Sequence, residues 1–240
     1  MKIVTWNCNG ALRKKWVHLQ KLEADIYVIQ ECENPKLLVK GDFYEWSENH
    51  LWIGDTKNKG LGIIANPKVQ IQALPWIDIF ETHRVKHFLP CRINNNFNLL
   101  GVWTHQNNSP NFGYIGQFWK YLQVNKFKLG DCLIAGDLNS NVKWDEWDRW
   151  WNHSDVVLAL EKLGIESLYH KVTGENQGKE TGSTFYLHRR PERPYHIDYV
   201  FGSEIFSNNI RKLEIGIFEE WIKISDHMPM SVEFGEDIWM

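Results

Sequence analysis

Asp137 and Asn139 stand two residues apart in GDLNSN, directly after an apolar run at 131–136. Side chains alternate along an extended chain, so this carboxylate and amide face the same way. Such a pair can hold a divalent cation, a water or a phosphate oxygen; Asp and Asn at a strand end are also ordinary turn formers. Asp226 and His227 are adjacent in SDHMP, so they point in different directions and suit different tasks. An imidazole moves protons near neutral pH. A third acid, Asp198 in HIDYVF, can orient it as the aspartate of a catalytic triad does. Taken alone, Asp226 and His227 read better as a turn cap beside a surface histidine.

The elements that must position these groups are short apolar runs, each ending in a polar residue. KIVTW runs into Asn7, DIYVIQ into Glu31, NLLGVWT into His105 and DCLIAG into Asp137. Their Val, Ile and aromatic content and their shortness predict buried strands. GLGIIA at 60–65 matches a dinucleotide fingerprint by letters only, because it leads into a strand-like run instead of opening a helix. Three-to-four spacing of Leu12, Trp16, Leu19 and Leu22, and of Ile115, Phe118, Trp119 and Leu122, predicts two helices. A third is expected from a Ser154 cap through Leu163, ending at Gly164. Strands alternating with helices imply an α/β or layered α+β domain with its site at strand ends. No linker-like segment divides the chain, so residues 1–240 are expected to form one domain.

Composition narrows the function less. Hydrophobic residues make up 43 %, and no run approaches membrane-spanning length, so no membrane role is expected. The start turns polar after six residues, which is unlike a secretory signal. Cys8, Cys32, Cys91 and Cys132 lie far apart without CxxC spacing, which predicts reduced thiols in a cytoplasmic protein. The net charge of -3 argues against a nucleic-acid binder. Setting aside Glu31, Asp137, Asp198 and Asp226 as site acids leaves +1, so nucleic acid stays open. Trp144, Trp147, Trp150 and Trp151 have roughly helical spacing; packing of an amphipathic helix is favoured over a base-stacking platform. His188, Arg189, Arg190 and Arg193 form a basic loop that suits phosphate or plain solvation.

Asn7, Glu31, Asp137, Asn139, Asp198, Asp226 and His227 follow one another along nearly the whole chain, each on or beside a predicted strand. With the opening MKIVTWNCNGALR and the segments VIQEC, GDLN, HIDYVF and SDHMP, this pattern resembles the exonuclease–endonuclease–phosphatase superfamily over residues 1 to about 234. The resemblance implies a four-layer sandwich: two mixed β-sheets face to face, flanked by helices. It implies metal-dependent hydrolysis of phosphodiesters in DNA or RNA with Mg²⁺ or Mn²⁺, and a monomer is expected. It makes Glu31 the main metal ligand, helped by Asn7 and Asp226. Asp137 would activate the attacking water, and Asn139 would hold a phosphate oxygen or a second metal. His227, oriented by Asp198, would bind the phosphate or transfer a proton. His105 is similar to a phosphate-contacting histidine of some branches, and Asn9, Arg189 and Arg190 are further candidate phosphate contacts. A phosphatase of a small metabolite and a catalytically silent RNA-binding regulator share the fold. The segments THQNNSPNFGY and STFYLHRRPERPY lack the loops of the repair enzymes, so weak abasic-site incision is expected.

Overall fold

The computed structural model describes residues 1–37, 39–106, 113–235 and 238. Among these, the strands in chain order are β1 (Lys2–Asn7), β2 (Ile26–Cys32), β3 (His50–Thr56), β4 (Lys59–Ala65), β5 (Ile71–Ala73), β6 (Ile79–Phe80), β7 (His83–Arg84) and β8 (Phe88–Ile93). They continue with β9 (Phe97–Trp103), β10 (Cys132–Asp137), β11 (Ile165–Ser167), β12 (Phe185–Tyr186), β13 (Pro194–Tyr195), β14 (Asp198–Ser203), β15 (Ile210–Ile215) and β16 (Met230–Phe234). Two six-stranded mixed sheets have the orders β15-β16-β1-β2-β4-β3 and β11-β14-β10-β9-β8-β5. Strands β12 and β13, and β6 and β7, form two small ribbons.

Alternation along each strand builds the layers. In β1, Ile3 joins the core between the sheets while its neighbour Val4 packs outward with Leu12, Leu19 and Trp221. In β10, Leu133 and Ala135 face that same central core, while Cys132 and Ile134 face the opposite layer with Phe118, Leu122 and Leu160. Phe118 and Leu122 belong to α1 (Ile115–Asn125) and Leu160 to α2 (His153–Glu161). Both sheet faces are thus apolar, which is why the runs read as nearly continuous. The result is the expected sandwich of two mixed sheets flanked by helices.

Gly136 shows why the strand before Asp137 carries this sequence. A Cβ there would lie 1.8 Å from the carbonyl oxygen of Val102, on the neighbouring strand β9. Gly136→Ala should therefore cost about 2 kcal/mol or more through forced separation of β9 and β10. A shift in the urea midpoint measures it; a change below about 0.5 kcal/mol would show that the pairing is looser than it looks.

Three expectations need correction. Leu12, Trp16, Leu19 and Leu22 do not share one helix; a 3₁₀ turn (Leu12–Lys14) precedes a short helix (Trp16–Gln20). The cap of α2 is Asn152, reciprocally bonded with Asp155, and not Ser154. Ser154 donates its backbone N–H to Asp145 instead. Trp144 to Trp151 are not helical beyond a 3₁₀ turn at Val142–Trp144, and Trp147 is 96 % exposed. The side chain of Asn152 accepts from the Glu146 N–H and donates to the carbonyls of Glu146 and Arg149. Those bonds to backbone groups compete with a helical ladder.

Candidate active site

Sheet topology gathers the polar strand ends. Strands β1 and β2 run parallel, with Asn7 opposite Gln30, so Asn7 and Glu31 emerge from the same edge. Strand β16 is antiparallel to β1, which brings the preceding Ser225, Asp226 and His227 to that edge too. Ser225 Oγ fixes this turn: it donates to the Asn7 carbonyl at 2.8 Å and accepts the His227 N–H at 3.1 Å. In the second sheet β10 and β14 are antiparallel with Asp137 directly opposite Asp198.

Asp137 is the hub and is fully buried. Its Oδ2 accepts from Asn7 Nδ2 at 2.9 Å and Asn139 Nδ2 at 3.0 Å, and its Oδ1 from the Asn139 backbone N–H at 2.7 Å. Asn139 adopts φ +44°, a left-handed conformation that Asn tolerates, and also donates to the Thr104 carbonyl at 2.8 Å. His227 Nδ1 lies 2.9 Å from Asp198 Oδ2, and its Nε2 lies 4.0 Å from Asp137 Oδ2. Two bonds at the ring are not available at 4.0 Å, so Nε2 remains free for a substrate oxygen. Asp137, Asp198 and His227 offer atoms within 4.8 Å of one another.

Two members of this trio have strongly shifted proton affinities. Burial, and then the charge of Asp198, push the Asp137 carboxyl well above the usual range. Burial opposes charge on His227, but Asp198 and then Asp137 outweigh it and raise the imidazolium. A raised carboxyl facing a raised imidazole is an arrangement that suits proton transfer.

Glu31 and Asp226 stand outside that trio. Glu31 adopts φ +58° at a bulge between Gln30 and Cys32, which turns its carboxylate out of the strand. It pairs with Lys59 Nζ at 2.9 Å. Asp226 Oδ1 accepts from Asn9 Nδ2 at 2.8 Å. The expected ligands Asn7, Glu31 and Asp226 thus converge at one sheet edge. Their donors are oxygens, which fit a hard divalent ion.

Other sequence candidates fare unevenly. The ring of His105 is not directed to a free position: its Nε2 lies 2.9 Å from His87 Nδ1, a pairing of residues from different loops. Arg189 donates to the Ile222 carbonyl at 2.7 Å, so one guanidinium nitrogen is spent on the fold. Arg190 is exposed. Residues 107–112 of the THQNNSPNFGY segment lie outside the described residues. Lys59, Thr104 and His87 were not among the candidates, and their contacts depend on strand pairing. Ser225 had a signal, as the first letter of SDHMP.

The chain belongs to the Endonuclease/Exonuclease/phosphatase family, whose profile matches residues 4–227. No curated protein sequence is significantly similar to it. Its fold is similar to that of the 3′ phosphatase NExo from Neisseria bound to a product DNA hairpin, at 18 % identity and TM-score 0.67, covering 98 % of this chain and 99 % of that one. An AP endonuclease from Archaeoglobus fulgidus is similar at 18 % identity and TM-score 0.70, again with 98 % and 99 % covered. The catalytic domain of Xenopus laevis APE2 is similar at 15 % identity and TM-score 0.64, with 98 % and 91 % covered.

Proposed function

We propose that the chain is one catalytic domain, a divalent-metal-dependent phosphodiesterase that cleaves DNA or RNA in a reducing, cytoplasmic setting. The observation that carries this reading is the buried Asp137, held by the amides of Asn7 and Asn139 and facing the Asp198–His227 pair. Family membership and the DNA hairpin held by the Neisseria relative support it. The four cysteines are free and buried, which agrees with a reducing compartment. No helix among the described residues is long and apolar enough to cross a membrane.

Each residue has a task in this reading. Glu31, with Asn7 and Asp226, would hold Mg²⁺ or Mn²⁺. A metal held there would supply charge neutralisation on the phosphate and a lowered pKa for water. Asp137 orients the attacking water and takes its proton; Asn139 spends both Nδ2 protons on Asp137 and the Thr104 carbonyl, so its Oδ1 would serve a second metal rather than the phosphate. His227 Nε2 donates to a phosphate oxygen or the leaving oxygen, and Asp198 keeps the ring turned so that Nε2 faces inward.

Activity should vanish in excess chelator and return with Mg²⁺ or Mn²⁺. Glu31→Gln should weaken metal binding, read by calorimetry, by about tenfold or more, with partial rescue of activity at high Mn²⁺. Unchanged metal titration would remove Glu31 from the site.

The fold neighbours that are AP endonucleases do not carry abasic-site cleavage over to this chain. Abasic duplex DNA should be nicked no faster than undamaged DNA, because the repair-type loops are missing from its sequence. Preferential nicking at the abasic position would overturn that expectation.

A further inference from the structure

The tryptophan-rich loop beside Asn139 packs Trp151 against the core but turns other tryptophans outward, and the hydrolytic residues do not use them. We propose that this loop, residues 141–153, is the subsite for unpaired nucleobases of the substrate strand. The inference deepens the nuclease reading and rests on it.

The loop displays three aromatic rings with much of their surface in solvent. Trp147 is 96 % exposed, Trp150 63 % and Trp144 44 %. Single exposed apolar residues are ordinary, but three tryptophans within seven residues of one loop fit a binding surface.

The backbone carrying them is pinned at both ends and in the middle. Asn141 Nδ2 donates to Glu180 Oε1, the His196 carbonyl and the Tyr199 hydroxyl at 3.1–3.2 Å. Asp145 accepts the backbone N–H groups of His153 and Ser154, and Asn152 ties Glu146 and Arg149 to the start of α2. Rings on a fixed backbone lose little entropy on binding, so the patch is pre-organised.

Trp144 links the loop to the hydrolytic centre. The Phe185 ring lies 4.6 Å from the His227 ring, Tyr195 lies 6.3 Å from Phe185, and Trp144 lies 5.3 Å from Tyr195. Asn139 and Trp144 border the same cavity of about 400 Å³. A strand whose phosphate sits at His227 therefore has a row of aromatic faces leading away from it.

Charge decides which part of the strand the loop reads. Residues 141–153 carry three carboxylates, Asp145, Glu146 and Asp148, against two cations, Lys143 and Arg149. Arg149 is committed to the loop itself: it bonds Glu146 and the Trp144 carbonyl and lies over the Trp151 ring at 4.9 Å. Such a surface does not track a phosphate backbone. Stacking is open to any base with a free face, and paired bases inside a duplex have none.

The test uses the full chain in chelator, where strands bind without being cut. Affinities are measured by fluorescence anisotropy for a short thymidine oligonucleotide, a blunt duplex, and an equally long and equally charged strand with tetrahydrofuran in place of every base. The base-bearing single strand should bind at least about tenfold more tightly than the other two and quench tryptophan emission. Trp147→Ala combined with Trp150→Ala should remove about tenfold of that affinity and most of the preference, with a circular dichroism melt like that of the wild type. Equal wild-type affinity for the base-less strand, or unchanged binding by the variant, would overturn the proposal while metal-dependent cleavage of oligonucleotides left the nuclease reading standing. Self-association that the double variant loses would assign the patch to a second copy of the chain and overturn it too. A wild type that neither binds nor cuts any strand would end both readings.

Discussion

His227→Ala should lower kcat by on the order of 10² to 10⁴-fold while changing KM far less. The imidazole Nε2 is the ring atom left available by the 2.9 Å bond from Nδ1 to Asp198, and it faces Asp137 across 4.0 Å. In the proposed reading a group so placed would act on the reacting phosphate and contribute little to holding the remainder of a strand. Asp198→Asn should lower kcat less, because an amide oxygen still orients the ring but does not favour its charged form. The double variant should be little worse than His227→Ala alone, since two residues acting as one unit are not additive. Losses that multiply would show that Asp198 does not act through the ring.

The pH profile separates this role from a structural one. Asp198 and Asp137 raise the folded-state pKa of His227, so a rate that needs imidazolium persists above the ordinary histidine range and falls as pH rises through the raised value. Asp198→Asn removes one of the stabilising charges and should move this alkaline limb to lower pH. The same raised pKa also contributes stability, which is full below the unfolded value and lost as pH climbs through the folded one. An alkaline limb that stays in place in the variant would remove His227 as the titrating acid.

Asp137→Asn should abolish most of the activity, about 10³-fold or more in kcat, while leaving a folded protein. The carboxylate accepts three N–H donors and stands opposite Asp198 in the β10–β14 register. Its neutral replacement loses an accepted bond and the capacity to take a proton. Relief of repulsion with Asp198 offsets part of the lost bonding, so the urea midpoint should move by less than about 2 kcal/mol in stability. Unfolding of the variant would make Asp137 a structural anchor. Activity near wild type would leave water activation to some other group.

The two-sheet core could be read from the chain because fully buried strands show as uninterrupted apolar runs, and their ends stood out where Asn7, Glu31 and Asp137 broke the pattern. What periodicity does not encode is which strands become neighbours. Asp137 meets Asp198 because β10 pairs with β14 across about sixty residues of chain, and His105 meets His87 through the hairpin of β8 and β9. Lys59 reaches Glu31 for the same reason: β4 lies beside β2. The tryptophan segment failed differently. Its spacing imitates a helix, but Asn141, Asp145 and Asn152 bind nearby backbone groups and hold an irregular loop. Asn152 and Asp155 did carry a readable capping signature, which the neighbouring Ser154 obscured.

Incubation of the pure protein with a panel of single-stranded DNA, duplex DNA, RNA and inositol phosphates, each with Mg²⁺ or Mn²⁺ and each again in chelator, tests the phosphodiesterase assignment. The expected result is metal-dependent cleavage of at least one nucleic acid, with single strands preferred and inositol phosphates untouched. Release of phosphate from inositol phosphates with every nucleic acid left intact would contradict it, as would binding of RNA without cleavage at any metal concentration.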